Sequence, residues 1–348
     1  MADVQFRVSP RADLIPLRSN PILRRLFSPP VLAVAVAYLA GLWIGRWAIL
    51  RLAPDAISLR LVGHAVSIGR LHERLLEKGL EVTVLLGGVF FLETLWVGWS
   101  KCSLRHLLVR RTASSRTDLI CYLAWLTPAM TTLGGILTLG CALLSTSWLR
   151  NRLSQATGFA PSVAGAPVLA QVAALFLVYS LFDYWSHRLD HSRWMWPLHR
   201  YHHGAEDFTV LNAGRTHPAM FTALVGTTLP AVLLSASPEA VVDLNIFAMT
   251  IRLLIHSRID SDFGWIGRWL VQSPLHHRLH HGLHLRGRPV HLSLVPLWDR
   301  LFGTWGGQVA ADLPIGVDTP YRHGAWVAPD LWRDYREFWA GLLAGRGR

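Results

Sequence analysis

Lysine is almost missing from this chain: only Lys78 and Lys101 occur among its 34 basic residues, and the other basic positions are arginine. Acids are also few, 22, so the formal net charge is +12. Cysteine is limited to Cys102, Cys121 and Cys141, with no C-x-x-C spacing. An odd, scattered set of three excludes a disulfide framework and a zinc ribbon, and small buried thiols are the simpler account. No glycine-rich nucleotide fingerprint and no haem-attachment signature occurs. Any redox chemistry must therefore draw electrons from outside the chain. No short apolar segment with a small-residue cleavage site follows the N-terminal residues, so no cleaved signal peptide is expected. Charged residues make up only 16% of the chain, well under the quarter or so of an ordinary soluble domain.

Apolar residues fill that space. They make up 51% of the chain, and the mean hydropathy is positive. Long apolar runs at 31–50, 82–99, 118–148 and 166–185 read as membrane spans, the third kinked by Pro128 and Gly134-Gly135. Two shorter runs, 219–234 and 241–254, read as a helical hairpin that enters and leaves on one face. Residues 51–80 mix charges with apolar positions and suggest an amphipathic surface helix. Arginines flanking apolar runs explain the basic balance through lipid headgroups and the positive-inside bias, without nucleic acid. The basic loop Lys101, Arg105, Arg110, Arg111 and Arg116 is placed in the cytoplasm on that ground. Tryptophans near the ends of the runs, such as Trp185, Trp265 and Trp269, fit interfacial anchors. The expected fold is all-α: a polytopic membrane protein with about four transmembrane helices, a re-entrant or spanning hairpin and a cytoplasmic, His-rich helical cap. Three parts are expected: 1–80 with the first span, a catalytic membrane domain at 81–305, and a polar C-terminal tail at 306–348. The arginine-rich, lysine-poor usage suggests a GC-rich bacterial genome and so a bacterial inner membrane, and the order of the spans delivers the histidines to the cytoplasmic face.

Those histidines are the most specific feature. Of 17 in the chain, 13 lie between His187 and His291. His187 and His191 are spaced i, i+4. His199, His202 and His203 are spaced i, i+3, i+4, and so are His277, His280 and His281. On helices these spacings bring rings to neighbouring positions. The pattern H-R-x-H-H occurs twice. Neutral imidazole is the commonest metal ligand and suits Fe, Zn, Cu and Ni. Eight such rings exceed one tetrahedral zinc and suffice for two metals with open positions, the mark of catalysis. His217 and His256, at the two ends of the hairpin, are further candidates from their placement. Asp183 and Asp190 are candidates to take a ring N–H and fix a tautomer.

The ordered stretches 183–191, 196–203, Arg215-Thr-His217-Pro218, His256, 274–281 and Trp298-Asp-Arg-Leu-Phe-Gly-Thr304 resemble the fatty acid hydroxylase / sterol desaturase superfamily of integral-membrane di-iron enzymes. The resemblance covers roughly 82–305. It implies two iron ions, O₂ as co-substrate, a membrane lipid that is hydroxylated or desaturated, and His187, His191, His199, His202, His203, His277, His280 and His281 as ligands, with His217 and His256 as weaker carry-overs. With no internal cofactor, electrons are expected from a separate ferredoxin- or cytochrome-type donor with its reductase. Where relatives often carry Asn-aromatic-Gly before the Trp-Asp pair, this chain has Val290-His-Leu-Ser293. A zinc-dependent lipid hydrolase on the same scaffold and a His-rich metal transporter or sensor are the competing readings. A transporter places its polar groups mid-span, whereas these lie just outside the spans.

Overall fold

A computed structural model describes residues 21–345 except 53, 62–63, 69–72, 74–75, 77–79, 126–127, 139–147, 149–150, 159–160, 286, 308–312 and 325–326. The body of the molecule is helical. Among the described residues two helices are long and apolar enough to cross a bilayer, Pro29–Leu52 (α1) and Val168–Asp190 (α3), and Leu80–Val97 (α2) contains a shorter apolar stretch. α1 buries almost nothing but Val31 and leaves Val36, Leu39, Trp43 and Trp47 exposed. It lies against α2, where Tyr38 donates to the Val84 carbonyl at 2.9 Å. Gly87 allows that approach, since a Cβ there would come within 2.2 Å of the Tyr38 ring.

Residues 51–80 depart from the expected surface helix. Ile57–Leu61 (β1) and His64–Ile68 (β2) pair antiparallel, with Ile57 opposite Ile68 and Leu61 opposite His64. The reason is legible: Ile57-Ser-Leu-Arg-Leu61 alternates with period two, and a two-residue link ending in Gly63 suits a hairpin rather than a 3.6-residue repeat. The run expected as one kinked span begins as two helices, Ala113–Trp125 and Pro128–Leu137, with proline at the head of the second. Residues 1–20, much of the end of that run, and Cys141 lie outside the described residues; Cys102 and Cys121 are buried free thiols.

α3 is the axis of the site-bearing half. It has neither Gly nor Pro over 23 residues, so nothing breaks its hydrogen-bond ladder. Phe221–Leu233 (α4) and Pro238–Ile255 (α5) pack on it as a hairpin. Ser237 caps α5 by accepting from Ala240 N–H, and Pro238 starts it. Leu175, Tyr179, Leu244, Ala248, Ile251, Ile255 and Leu294 form the core between them. Both open ends of the hairpin return to the C-terminal end of α3, through Thr222 with Asp190 and Arg252 with Asp183. Trp196–His203 (α6), Pro274–His280 (α7) and Pro296–Leu301 (α8) gather at that same half. The amphipathic stretch of the expected tail is a helix, Ala328–Leu343 (α9), docked on α6 through Arg200 and Asp334 at 2.6 Å.

Candidate metal centre

Among the described residues nine imidazoles converge in two groups. His187, His191, His199, His203 and His280 form one; His202, His256, His277 and His281 form the other. Within each group the ligand atoms all lie within 4.8 Å of one another. The groups adjoin, with the His203 and His281 rings stacked at 4.3 Å.

Each H-R-x-H-H motif feeds both groups. On α6, His199 and His203 join the first group and His202 the second; on α7, His277 and His281 join the second and His280 the first. The i and i+4 rings stay together while the i+3 ring is traded. On a helix, positions i+3 and i+4 differ by about 100° in direction, so one motif can serve two adjacent points. Ser273 accepts the His276 N–H and caps α7, and prolines open both α6 and α7, which sets the start of each helix and therefore where its rings point.

Backbone carbonyls fix the tautomers. Nδ1 of His187 donates to Leu292 O at 2.6 Å, His191 to Gly287 O at 2.7 Å and His280 to Val290 O at 2.8 Å. In the second group, Nδ1 of His256 donates to Arg252 O at 2.6 Å and His202 to Arg215 O at 3.2 Å. A carbonyl can only accept, so these Nδ1 atoms carry the proton and their Nε2 atoms are bare lone pairs. The bare Nε2 atoms of His256 and His202 face each other at 3.4 Å; the Nε2 of His277 lies 2.9 Å from that of His256, and the Nε2 of His199 lies 3.2 Å from that of His187. Nε2 of His191 and of His280 are buried with no hydrogen-bond partner among the described residues.

Burial and the neighbouring rings keep these groups neutral. The His191 pKa is pushed down to about 3 by burial and then by His187. His199, His202, His203, His277, His280 and His281 are held well below the ordinary histidine value, first by burial and then by neighbouring imidazoles. Neutral rings that crowd their lone pairs together need a cation between them. Two imidazole nitrogens each about 2.0–2.1 Å from one ion, at angles of about 90–110°, stand about 2.9–3.4 Å apart. The nitrogens present fit metal ions in both places.

The other expected residues divide. His256 joins the second group, but His217 joins neither. Its Nε2 contacts the Leu331 carbonyl at 2.9 Å, its Nδ1 accepts the Ala219 N–H at 3.0 Å, and its ring stacks on Tyr335 of α9. Four residues before the hairpin helix, the chain has already turned away from the rings. Asp190 Oδ2 lies 3.9 Å from the buried, otherwise unpartnered His199 Nδ1, and its other oxygen accepts from Thr222. Asp183 touches no ring of the two groups; it binds Arg252 and Tyr179 and so steadies the turn whose carbonyl holds His256. His276 and His291 stack on each other behind the site, against Trp305. Arg215, fully buried, pairs with Asp118 at 3.2 Å and lies over the Tyr201 ring. The carbonyl-bearing loop 287–292 carried no side-chain signal. Its only sequence marker is Gly287, at φ +76°, where a Cβ would meet the Trp196 ring at 2.7 Å.

Residues 172–304 match the family model described as fatty acid hydroxylase. Similar curated proteins include an alkylglycerol monooxygenase of Xenopus tropicalis, 28% identical over 169 residues, which cover 45% of this chain and 36% of that one. Another is an alkylglycerol monooxygenase of Homo sapiens, 29% identical over 131 residues, which cover 36% of this chain and 28% of that one. The match thus spans about a third of the length of these relatives. No solved structure matches. The ordered histidine motifs fall inside the matched segment, so it is this part of the chain that is similar to the fatty acid hydroxylase family.

Proposed function

We propose that this protein is an O₂-dependent monooxygenase of a membrane lipid. The observation that carries the reading is the pair of adjacent all-imidazole groups, five and four rings, in each of which carbonyl-bound rings turn bare Nε2 atoms toward the other imidazoles. His187, His191, His199, His203 and His280 hold one ion, and His202, His256, His277 and His281 hold the other. The ions are iron, which supplies O₂ activation and the redox change that attack on an unactivated C–H bond requires and that zinc does not offer.

The chain's own residues do the remaining work. Carbonyls of Gly287, Val290, Leu292, Arg215 and Arg252 hold the rings in one tautomer, which raises their basicity as ligands. Asp190 is placed to take the remaining N–H of His199. Phe208, stacked at 5.7 Å on His256, shields that group from water.

The membrane supplies the substrate. The centre sits at the C-terminal end of α3, a helix of bilayer length, so an acyl or alkyl chain reaches it without leaving the bilayer. The alkylglycerol monooxygenase activity named for the relatives makes alkylglycerols the first substrates to try. Electrons come from a separate acidic donor protein that meets the basic face of the chain. That face lies in the cytoplasm of a bacterial cell, and the hairpin α4–α5 is embedded beside α3.

The test is turnover of alkylglycerols and fatty acyl lipids by the iron-loaded protein with O₂ and a reducing system, tracked by ¹⁸O incorporation. The reading requires label from ¹⁸O₂ in the product, and His202→Ala and His280→Ala, one from each group, must each lose iron and activity. Activity that persists without O₂ and returns with zinc alone would instead establish a hydrolase.

A further inference from the structure

The two groups of rings are supported from behind in different ways. The second is held by the carbonyls of Arg215 and Arg252, residues next to or within the packed helices. The first is held by one short loop: Gly287 O takes His191, Val290 O takes His280, and Leu292 O takes His187. Three of its five rings therefore depend on the position of six consecutive residues.

That loop is pinned from one point. Asp299 Oδ1 accepts the Leu292 N–H at 2.8 Å and the Thr304 hydroxyl at 2.7 Å; Oδ2 accepts the Ser293 N–H at 3.1 Å. The Asp299 carbonyl takes the N–H groups of Thr304 and Trp305, and Thr304 O takes the N–H of His291. The Asp299 carboxylate is almost fully buried and has no cationic partner among the described residues. Burying a carboxylate without a counter-charge is costly unless hydrogen bonds compensate it. Here every bond it makes fixes either the loop or the threonine that braces the loop. His291, in the middle, is forced to φ +51°, an unfavourable conformation for a residue with a side chain, and the surrounding bonds hold it there.

We propose that Asp299, braced by Thr304, is a positioning residue for one of the two metal centres only, acting through the carbonyls of loop 287–292. The inference rests on the metal reading above. It assigns work to the Trp298–Thr304 stretch, which touches no ring of either group, and it makes the two centres separable. If the loop slackens, His187, His191 and His280 lose the acceptors that set their tautomer and orientation, while His202 and His256 keep theirs.

The test uses the full-length protein, depleted of metal and titrated with Co²⁺, whose visible bands report each ion as it binds. The wild type is expected to take up two ions. Asp299→Asn keeps the shape but leaves the Ser293 N–H without its acceptor; Thr304→Val, the milder change, removes the hydroxyl's bond to Asp299 and its contact with the Tyr184 hydroxyl at 3.2 Å. Each is expected to weaken one of the two binding events about 10–100-fold, the usual effect of losing an outer partner of a ligand, and to leave the other within about twofold. His202→Ala should abolish the event that Asp299→Asn spares. Equal weakening of both events, or of neither, in Thr304→Val overturns the proposal while the metal reading stands. A wild type that takes up no cobalt overturns the metal reading, and this proposal with it.

Discussion

The Nε2 atoms of His256 and His202 meet at 3.4 Å, and both Nδ1 atoms are already committed, to the Arg252 carbonyl at 2.6 Å and the Arg215 carbonyl at 3.2 Å. With a cation between them this contact is favourable; without one it sets lone pair against lone pair in a buried place. Removing metal should therefore lower thermal stability rather than leave it unchanged. An ion at a thousand times its dissociation constant stabilises by about 4 kcal/mol. Melting curves in detergent before and after a strong chelator, with iron added back, check this. An unchanged midpoint would mean that these rings are held apart by protein alone.

His217→Ala should keep both ions. Although His217 belongs to the family pattern, both of its ring nitrogens are spent on Leu331 O and Ala219 N–H. The loss should appear in stability instead, at about 1–3 kcal/mol for a buried acceptor and donor left without partners. Metal analysis alongside denaturation separates the two outcomes, and a fall in metal content would restore His217 as a ligand.

Much of this was legible and some was not, for a physical reason. The i, i+4 and i, i+3, i+4 spacings mark rings as neighbours on a helix and so pick out eight of the nine imidazoles that converge. They do not say which rings share an ion, because His202 and His280 each leave their own motif to join rings from another helix. That is decided by how α6 and α7 pack. His256 was visible as the end of a hairpin arm and as a weaker carry-over from the resemblance, and His217, the equally placed residue at the other arm, turned out to hold the C-terminal helix. The supporting carbonyls of 287–292 were invisible, since any residue has a carbonyl. Period-two alternation at 57–61 was present but was outweighed by the surrounding charges.

Acid should destabilise the metal-free protein. His191, at about 3, and His199, His202, His203, His277, His280 and His281 titrate below the ordinary 6.5 because the fold buries them neutral. When the folded-state value is the lower one, the unfolded chain takes up protons that the fold refuses. Stability is thus complete above about pH 6.5 and falls as pH drops below it toward the folded-state values. Several rings act together, so the midpoint should fall more steeply than a single proton allows. Melts between pH 8 and pH 5 measure the slope, and a flat profile would show that the rings take up protons in the fold.

The depth of the centre can be predicted from Trp298. Its indole N–H donates to Ser180 Oγ at 3.0 Å. Ser180 lies seven residues before His187 on α3, about 10 Å back along a helix of bilayer length. With α3 spanning the bilayer as proposed, the α8 helix, which carries Trp298, and the neighbouring helix Gly264–Trp269 are expected at the level of the bilayer rather than above it. Their outward residues agree: Trp265, Ile266, Trp269, Leu270 and Leu301 are exposed, and Arg300 is sandwiched between Trp269 at 4.4 Å and Trp305 at 4.0 Å. Aromatic rings beside arginine are the usual furniture of the headgroup boundary. A nitroxide at Ile266→Cys, in protein reconstituted into phospholipid vesicles, should be relaxed readily by O₂, which concentrates in lipid, and poorly by a water-soluble nickel chelate. The opposite ranking would lift these helices into water and break the link between the bilayer and the rings, because the same bond to Ser180 fixes α8 against α3.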